Sequence, residues 1–331
     1  MPGDTMPILQ LPAEIIRHVL TNVEGKQDLK AFCEVSKAAY EHAAPVLYQS
    51  VPLTQHECSL NVPNSSLTTH LNQPERPCVL DCVKELCLTS GFQKNISRFR
   101  CYPHFDSVDE DRESGPDTIR FIQSLKEGQL RKFSWHLGIC IPYGILSRAG
   151  CLSLSQKNIK SISLITSGRS CCNDEGCPVY LKDFEALESL SWVGIRGPDE
   201  FATLRDSLAL FSEQLVELHL DGLLCEPVGD GQPLMNTLVD ALPEQQLVCL
   251  KRLSLGALRL RPLKRLIQSL NMLHLQSLRL RSCPDWSPLL LTLYKYDQGV
   301  ALKSFELQFS EDLFDSNSEP RILRFLKSLP V

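Results

Sequence analysis

Three cysteines crowd one stretch of this 331-residue chain, Cys171, Cys172 and Cys177 in SCCNDEGCP. Thiolates so close together become zinc ligands when a fourth donor joins them, because structural zinc is tetrahedral. No second close pair and no nearby histidine follows, so one loop supplies three ligands at most, and no metal is expected. Cys78, Cys82 and Cys87 read instead as small apolar residues beside a strand. The eight histidines are scattered, with no pair at a helical spacing suited to a metal. The chain carries no GxxxxGKS or GxxxxGKT phosphate loop, no GxGxxG turn, no GxSxG elbow and no HExxH helix. With no nucleophile–base pair, phosphate cradle or metal set on view, neither an enzyme nor a cofactor is expected.

The charges are more telling. From Gln245 to Pro284 there are eight Lys or Arg residues and no Asp or Glu, although the whole chain carries a net charge of -5. Arg252, Arg279 and Arg281 in this window, with His219 before them, are candidate binding residues. Arginine clusters on a rigid frame recognise carboxylates and phosphates through forked hydrogen bonds. Nucleic acid is not the expected partner, since the overall charge is acidic and no aromatic residues interleave with the arginines. Lys264 and Arg265 belong to an outer helix. The acidic run DSVDEDRESGPD, residues 106–117, reads as a solvated loop.

The elements that must position these residues come from a repeated hexad: apolar, two variable residues, apolar, one variable, apolar. It returns in fixed phase as VKELCL, LRKFSW, IKSISL, LESLSW, LVELHL, LKRLSL, LQSLRL and LKSFEL, starting at Val83, Leu130, Ile159, Leu187, Leu215, Leu250, Leu275 and Leu302. Tyr48, Val51 and Leu53 make a ninth. Periods of 20–50 residues mark a solenoid with one short strand per repeat. The last two apolar residues of each hexad, two apart, face the core. The residues between and beside them line the concave face: Ser134, Ser163, Ser191 and Ser254 among them, with His219, Arg252, Arg279 and Arg281. Helical spacing follows several hexads, as in Phe201, Leu204, Leu208 and Phe211; Leu234, Leu238 and Leu242; Leu263, Leu266, Ile267 and Leu270; and Leu289, Leu290 and Leu293. Strand followed by returning helix resembles a leucine-rich repeat. The Asn or Cys that usually follows the last leucine is present clearly only as Cys283, with Leu223, Ile195, Leu258 or Gly138 in its place elsewhere. The solenoid is therefore expected to be irregular, and a generic layered α/β sheet is the alternative.

In front stands ILQLPAEIIRHVLTNVEGKQDLKAFCEVSKAAYEHAAPVLYQSVPL. Pro12 suits a first helical turn, Ile15, Ile16, Val19, Leu20 and Val23 make one apolar stripe, and Gly25 supplies a stop. A second helix carries Leu29, Phe32, Cys33 and Val35. Ser36 can cap a third, through Tyr40 and Ala43, that ends at the Ala44–Pro45 step. Three such helices could simply close the open end of the solenoid. As a block, however, residues 8 to 53 resemble an F-box of fungal type: Leu11, Pro12, Glu14, Ile15 and Leu20 in the first helix, Leu29, Phe32 and Val35-Ser36-Lys37 in the second, Tyr40 in the third.

The resemblance implies an α/β chain with an F-box over residues 1–47 and a leucine-rich-repeat solenoid over 48–331. It implies a substrate-recognition subunit of an SCF-type cullin–RING ubiquitin ligase. Leu11, Pro12, Ile15, Ile16, Leu20, Leu29, Phe32 and Val35 would bind the Skp-family adaptor, and through it a cullin. The repeats would hold an unknown protein substrate, acidic or phosphorylated if the arginines receive it. The competing expectation is a repeat scaffold without a ubiquitin-ligase role. No apolar run approaches the roughly 18 residues that span a bilayer. The start has acidic residues and prolines rather than a secretion signal, and fourteen cysteines without that signal read as free thiols. A cytoplasmic or nuclear location and no membrane partner are expected.

Overall fold

Every hexad becomes a strand, and the strands stack in chain order. The structure, a computed structural model, describes residues 7–56, 59–61, 79–90, 114–138, 141–166, 179–195, 198–222, 238–295, 301–308 and 318–327. Its strands are β1 (Ser50–His56), β2 (Ser59–Asn61), β3 (Glu85–Ser90), β4 (Lys132–His136), β5 (Ser161–Ile165), β6 (Ser189–Val193), β7 (Glu217–Asp221), β8 (Arg252–Gly256), β9 (Ser277–Arg281) and β10 (Ser304–Gln308). They form one sheet in the order β10-β9-β8-β7-β6-β5-β4-β3-β1-β2. All neighbours are parallel except β2, which returns antiparallel beside β1. A parallel sheet built this way needs a crossover between strands. Among the described residues returning helices supply most of these, while the β5–β6 connection shows no helix and the β7–β8 connection only a 3-10 turn. The result is a mixed α/β, solenoid-like fold.

The hexad phase holds in three dimensions. Leu86, Phe133, Ile162, Leu190, Leu218, Leu253, Leu278 and Phe305 are register partners from strand to strand. Leu88, Trp135, Leu164, Trp192, Leu220, Leu255 and Leu280 form a second row, and both rows are buried from β3 to β9. Helices Pro198–Leu210, Leu263–Ser269, Trp286–Tyr294 and Ser318–Leu326 follow their strands as the spacing predicts or close the end. The stripe ending at Leu242 is shorter than a helix: among the described residues it is a 3-10 turn, Leu238–Asp240.

Backbone hydrogen bonds close the turns at both ends of the strands. At the start of each strand one carbonyl accepts two N–H groups from the next repeat. Gln49, Lys84, Arg131, Lys160, Glu188, Val216, Lys251 and Gln276 serve in turn. At the far end, Gly138, Thr166, Gly194, Gly222, Ala257 and Ser282 donate their N–H to the carbonyls of Ile165, Val193, Asp221, Gly256, Arg281 and Gln308. Several of these donors sit at positive φ, including Gly194 at 86°, where glycine is unstrained. Cys283 keeps a side-chain role, its Sγ donating to Leu255 O at 3.5 Å. The sheet is consequently regular, and the irregularity expected from sequence is confined to the connections.

Two other expectations change. Helix Ser114–Ser124 takes in the last four residues of the acidic run, because Ile122 and Leu125 are buried beneath the sheet. The rest of that run, Cys78 and the Cys171, Cys172 and Cys177 cluster lie outside the described residues. Ala44–Pro45 does not end the third helix, which continues to Leu47. Proline removes only one N–H, and Tyr48 N still reaches Ala44 O at 3.0 Å.

Candidate functional site

Two surfaces collect the residues singled out in the sequence. The first is the N-terminal bundle of α1 (Ala13–Thr21), α2 (Lys26–Val35) and α3 (Lys37–Leu47). Its turns form as the sequence suggests. Pro12 precedes α1 and its carbonyl accepts from Ile15 and Ile16 N–H, and Ser36 Oγ caps α3 by accepting from Ala39 N at 3.1 Å. Ile16, Leu20, Leu29 and Ala43 make a small core, separate from that of the sheet, with Phe32 and Val46 packed against it.

That packing divides the expected adaptor-binding residues. Ile16, Leu20 and Leu29 face inward and hold the three helices together. Leu11, Pro12, Ile15 and Val35 are exposed, Ile15 by 48% and Val35 by 54%. Phe32 lies between. Val19, passed over as one more member of the stripe, is exposed too. The stripe on α1 is wider than one buried face, so one edge, Ile16 and Leu20, goes in while Ile15 and Val19 stay out. The small bundle thus leaves four aliphatic side chains, Leu11, Ile15, Val19 and Val35, exposed to water.

The second surface is the polar face of the sheet, opposite the helices. Ser134, Ser163, Ser191, His219, Ser254, Arg279 and Glu306 are successive partners along its middle row. His219 Nδ1 lies 3.1 Å from Ser191 Oγ, and His136 Nε2 lies 2.7 Å from Ser163 Oγ. Burial is the main reason both imidazoles are held below their ordinary pKa, for His136 with Lys132 adding and for His219 with Arg281 and Arg279 adding against Asp221. Both are neutral near pH 7 and serve as hydrogen-bonding groups rather than cations.

The three arginines stand on this face, but their guanidinium groups do not converge. Arg252 Nη2 donates to Glu217 on β7 at 2.9 Å, and Arg279 Nη2 meets Glu306 on β10 at 3.0 Å. Arg281 reaches past β8 to the Asp221 carboxylate on β7. Sequence spacing picks out the cations; their carboxylate partners lie on other repeats and give no local signal. Asp221 is the residue that sequence reasoning missed. Its side chain is 2% exposed, its Oδ1 has no hydrogen-bond partner, and burial raises its pKa even though Arg281 opposes the rise.

Among the described residues, no three His, Cys, Asp or Glu side chains come together as a metal site, and no helix is long and apolar enough to cross a membrane. What this face offers chemically is hydroxyl, imidazole and exchangeable ion-pair contacts. Compared with known proteins, the chain matches no protein-family model and no curated protein.

Proposed function

We propose that the chain is a non-catalytic receptor subunit of an SCF-type cullin–RING ubiquitin ligase, working in the cytoplasm or nucleus. The N-terminal bundle docks the Skp-family adaptor and, through it, a cullin; the polar sheet face receives a protein substrate. The observation that carries this reading is the exposed aliphatic set Leu11, Ile15, Val19 and Val35, presented by helices whose core is already filled by Ile16, Leu20 and Leu29. An apolar helix surface beyond what its own bundle needs suits helix-in-groove recognition. The substrate is proposed to be acidic or phosphorylated, its anionic groups exchanging for exposed Glu217 and Glu306 on Arg252 and Arg279.

The test is binding of purified adaptor, followed by recovery of the cullin. Replacing Leu11, Ile15, Val19 and Val35 together by Ala should weaken adaptor binding about thirtyfold or more, since a few apolar anchors carry most of such an interface. The helical content should be unchanged, because none of the four is a core residue. Unaltered affinity overturns the reading. A repeat scaffold without ubiquitin transfer is favoured by one observation: α3 packs against helix Val79–Cys82 of the first repeat, as a terminal cap would. Ubiquitylation of captured proteins separates the two.

A further inference from the structure

We infer that Arg281 is a fixed part of the polar face, locked there by Asp221 and Gly256, and that an anionic ligand is received by Arg252 and Arg279 on either side of Ser254. The inference rests on the proposal that this face takes an acidic or phosphorylated substrate, and it assigns unequal roles to three arginines that look alike in sequence. Asp221, Gly256 and Arg281 are consecutive register partners on β7, β8 and β9. A side chain on the middle strand would normally separate the outer two. A Cβ at Gly256 would fall on the Asp221 carboxylate itself, so glycine is what lets that carboxylate lie across β8 and meet Arg281.

The two kinds of ion pair differ in what it costs to open them. Asp221 is almost wholly buried, its Oδ1 is unpartnered, and Arg281 alone among the described residues pairs with its charge. Drawing Arg281 to a ligand would leave a bare buried carboxylate, which would weaken that ligand by about a hundredfold or more. Arg252 with Glu217 and Arg279 with Glu306 are pairs in which all four side chains are about half exposed. Opening such pairs costs less than about tenfold. Arg279 is the direct partner of Ser254 across the ladder, and Arg252 is two residues before it on the same face. Ser254 thus offers a small hydroxyl floor with a releasable guanidinium on two sides. The fitting chemistry is an oxyanion, either a phosphorylated side chain or free phosphate.

The test uses the full chain and follows its arginine Nε–Hε resonances by NMR while inorganic phosphate, then a phosphoserine peptide and its unphosphorylated twin, are titrated in. Arg252 and Arg279 should shift and Arg281 should not. A stronger response to the phosphopeptide than to phosphate identifies a protein ligand; an equal response identifies the free ion, and either supports the site. In Asp221→Asn, Arg281 should begin to respond. In the charge-balanced Asp221→Asn/Arg281→Gln double variant, affinity should stay within about twofold of the parent. Arg281 shifting along with the others in the parent, or loss of binding in the folded double variant, overturns the inference. Silence at all three arginines overturns both the site and the anionic-substrate proposal, whereas the adaptor reading is decided separately by its own binding test.

Discussion

Asp221 is the residue whose behaviour can be stated most sharply. Its pKa in the fold is raised above 3.8, burial being the first cause. A carboxyl group raised on folding adds stability below its unfolded pKa, and that contribution is lost as pH rises through the folded value. The charged form is thus tolerated near neutral pH only because Arg281 is there. Arg281→Gln should therefore destabilise the protein by about 2–3 kcal/mol at pH 7, since it strands a buried charge. Asp221→Asn should cost much less, because Arg281 is partly exposed and can turn to water. The Arg281 variant should recover stability as pH falls into the acid range, because the raised pKa of Asp221 lets it take up a proton and lose the stranded charge. Urea unfolding across that range checks all three; a loss at Arg281 that does not depend on pH would show that Asp221 is not its source. A related expectation concerns Cys151 and Cys283, whose thiols burial pushes up to about 11. Both should resist alkylation in the native state and react only on unfolding.

At the scale of elements, the turns that return the chain to the sheet depend on side-chain amides where the repeats are least regular. Gln129 Nε2 donates to the carbonyls of Leu80 and, at 2.7 Å, Val83, while its Oε1 accepts from Lys126 N. Gln156 Oε1 accepts from Leu130 N and its Nε2 donates to Lys126 O. The two buried amides tie three successive repeats together. Gln129→Ala should cost about 2 kcal/mol, because it takes the side-chain donor from the Val83 carbonyl, whereas Leu80 O keeps the N–H of Val83. Gln276, half-buried but held by no such side-chain network among the described residues, should change stability by less than about 1 kcal/mol on the same substitution. The helices make a complementary pair of expectations. Ile16→Ala should lower the unfolding midpoint of the bundle by removing a core side chain, at about 2–4 kcal/mol. Ile15→Ala should leave that midpoint alone and weaken the proposed adaptor contact.

For the whole molecule, the parallel stacking of β3 to β10 means that each strand's backbone pairs only with its neighbours, the Arg281–Asp221 ion pair across β8 being a side-chain exception. Stability then resembles a sum of repeat and interface contributions, with the ends opening first. Amide hydrogen exchange should be slowest in β5 to β8, where strands are covered on both sides, and faster in β2 and β10, the two edges of the sheet. Uniform exchange along the sheet would mean that the solenoid unfolds as one cooperative block. The same arrangement places the N-terminal bundle beside the first repeats and the arginine-bearing strands at the other end of the strand order. Variants of Arg252 and Arg279 should therefore leave adaptor binding unchanged, and variants of Ile15 and Val35 should leave phosphate binding unchanged.

The hexad by itself determined the strands, their phase, and which side chains enter the core, down to Val51 and Leu53 of the first repeat. A period-two pattern is a local property, and burying one face of a strand leaves only one register. The capping serine of α3 and most returning helices were likewise readable, because capping and helical periodicity act within a few residues. Tertiary structure alone decided the rest. Ile16 rather than Ile15 goes inward because the neighbouring helices, not the stripe, choose the buried edge. The turns hold without a side-chain ladder because neighbouring backbones satisfy one another, which no single repeat reveals. Arg281 is committed and Arg279 is not because Asp221 lies 60 residues away with a glycine between them in space. Such pairings depend on the register of distant segments, and that comes into being only when the strands are laid side by side.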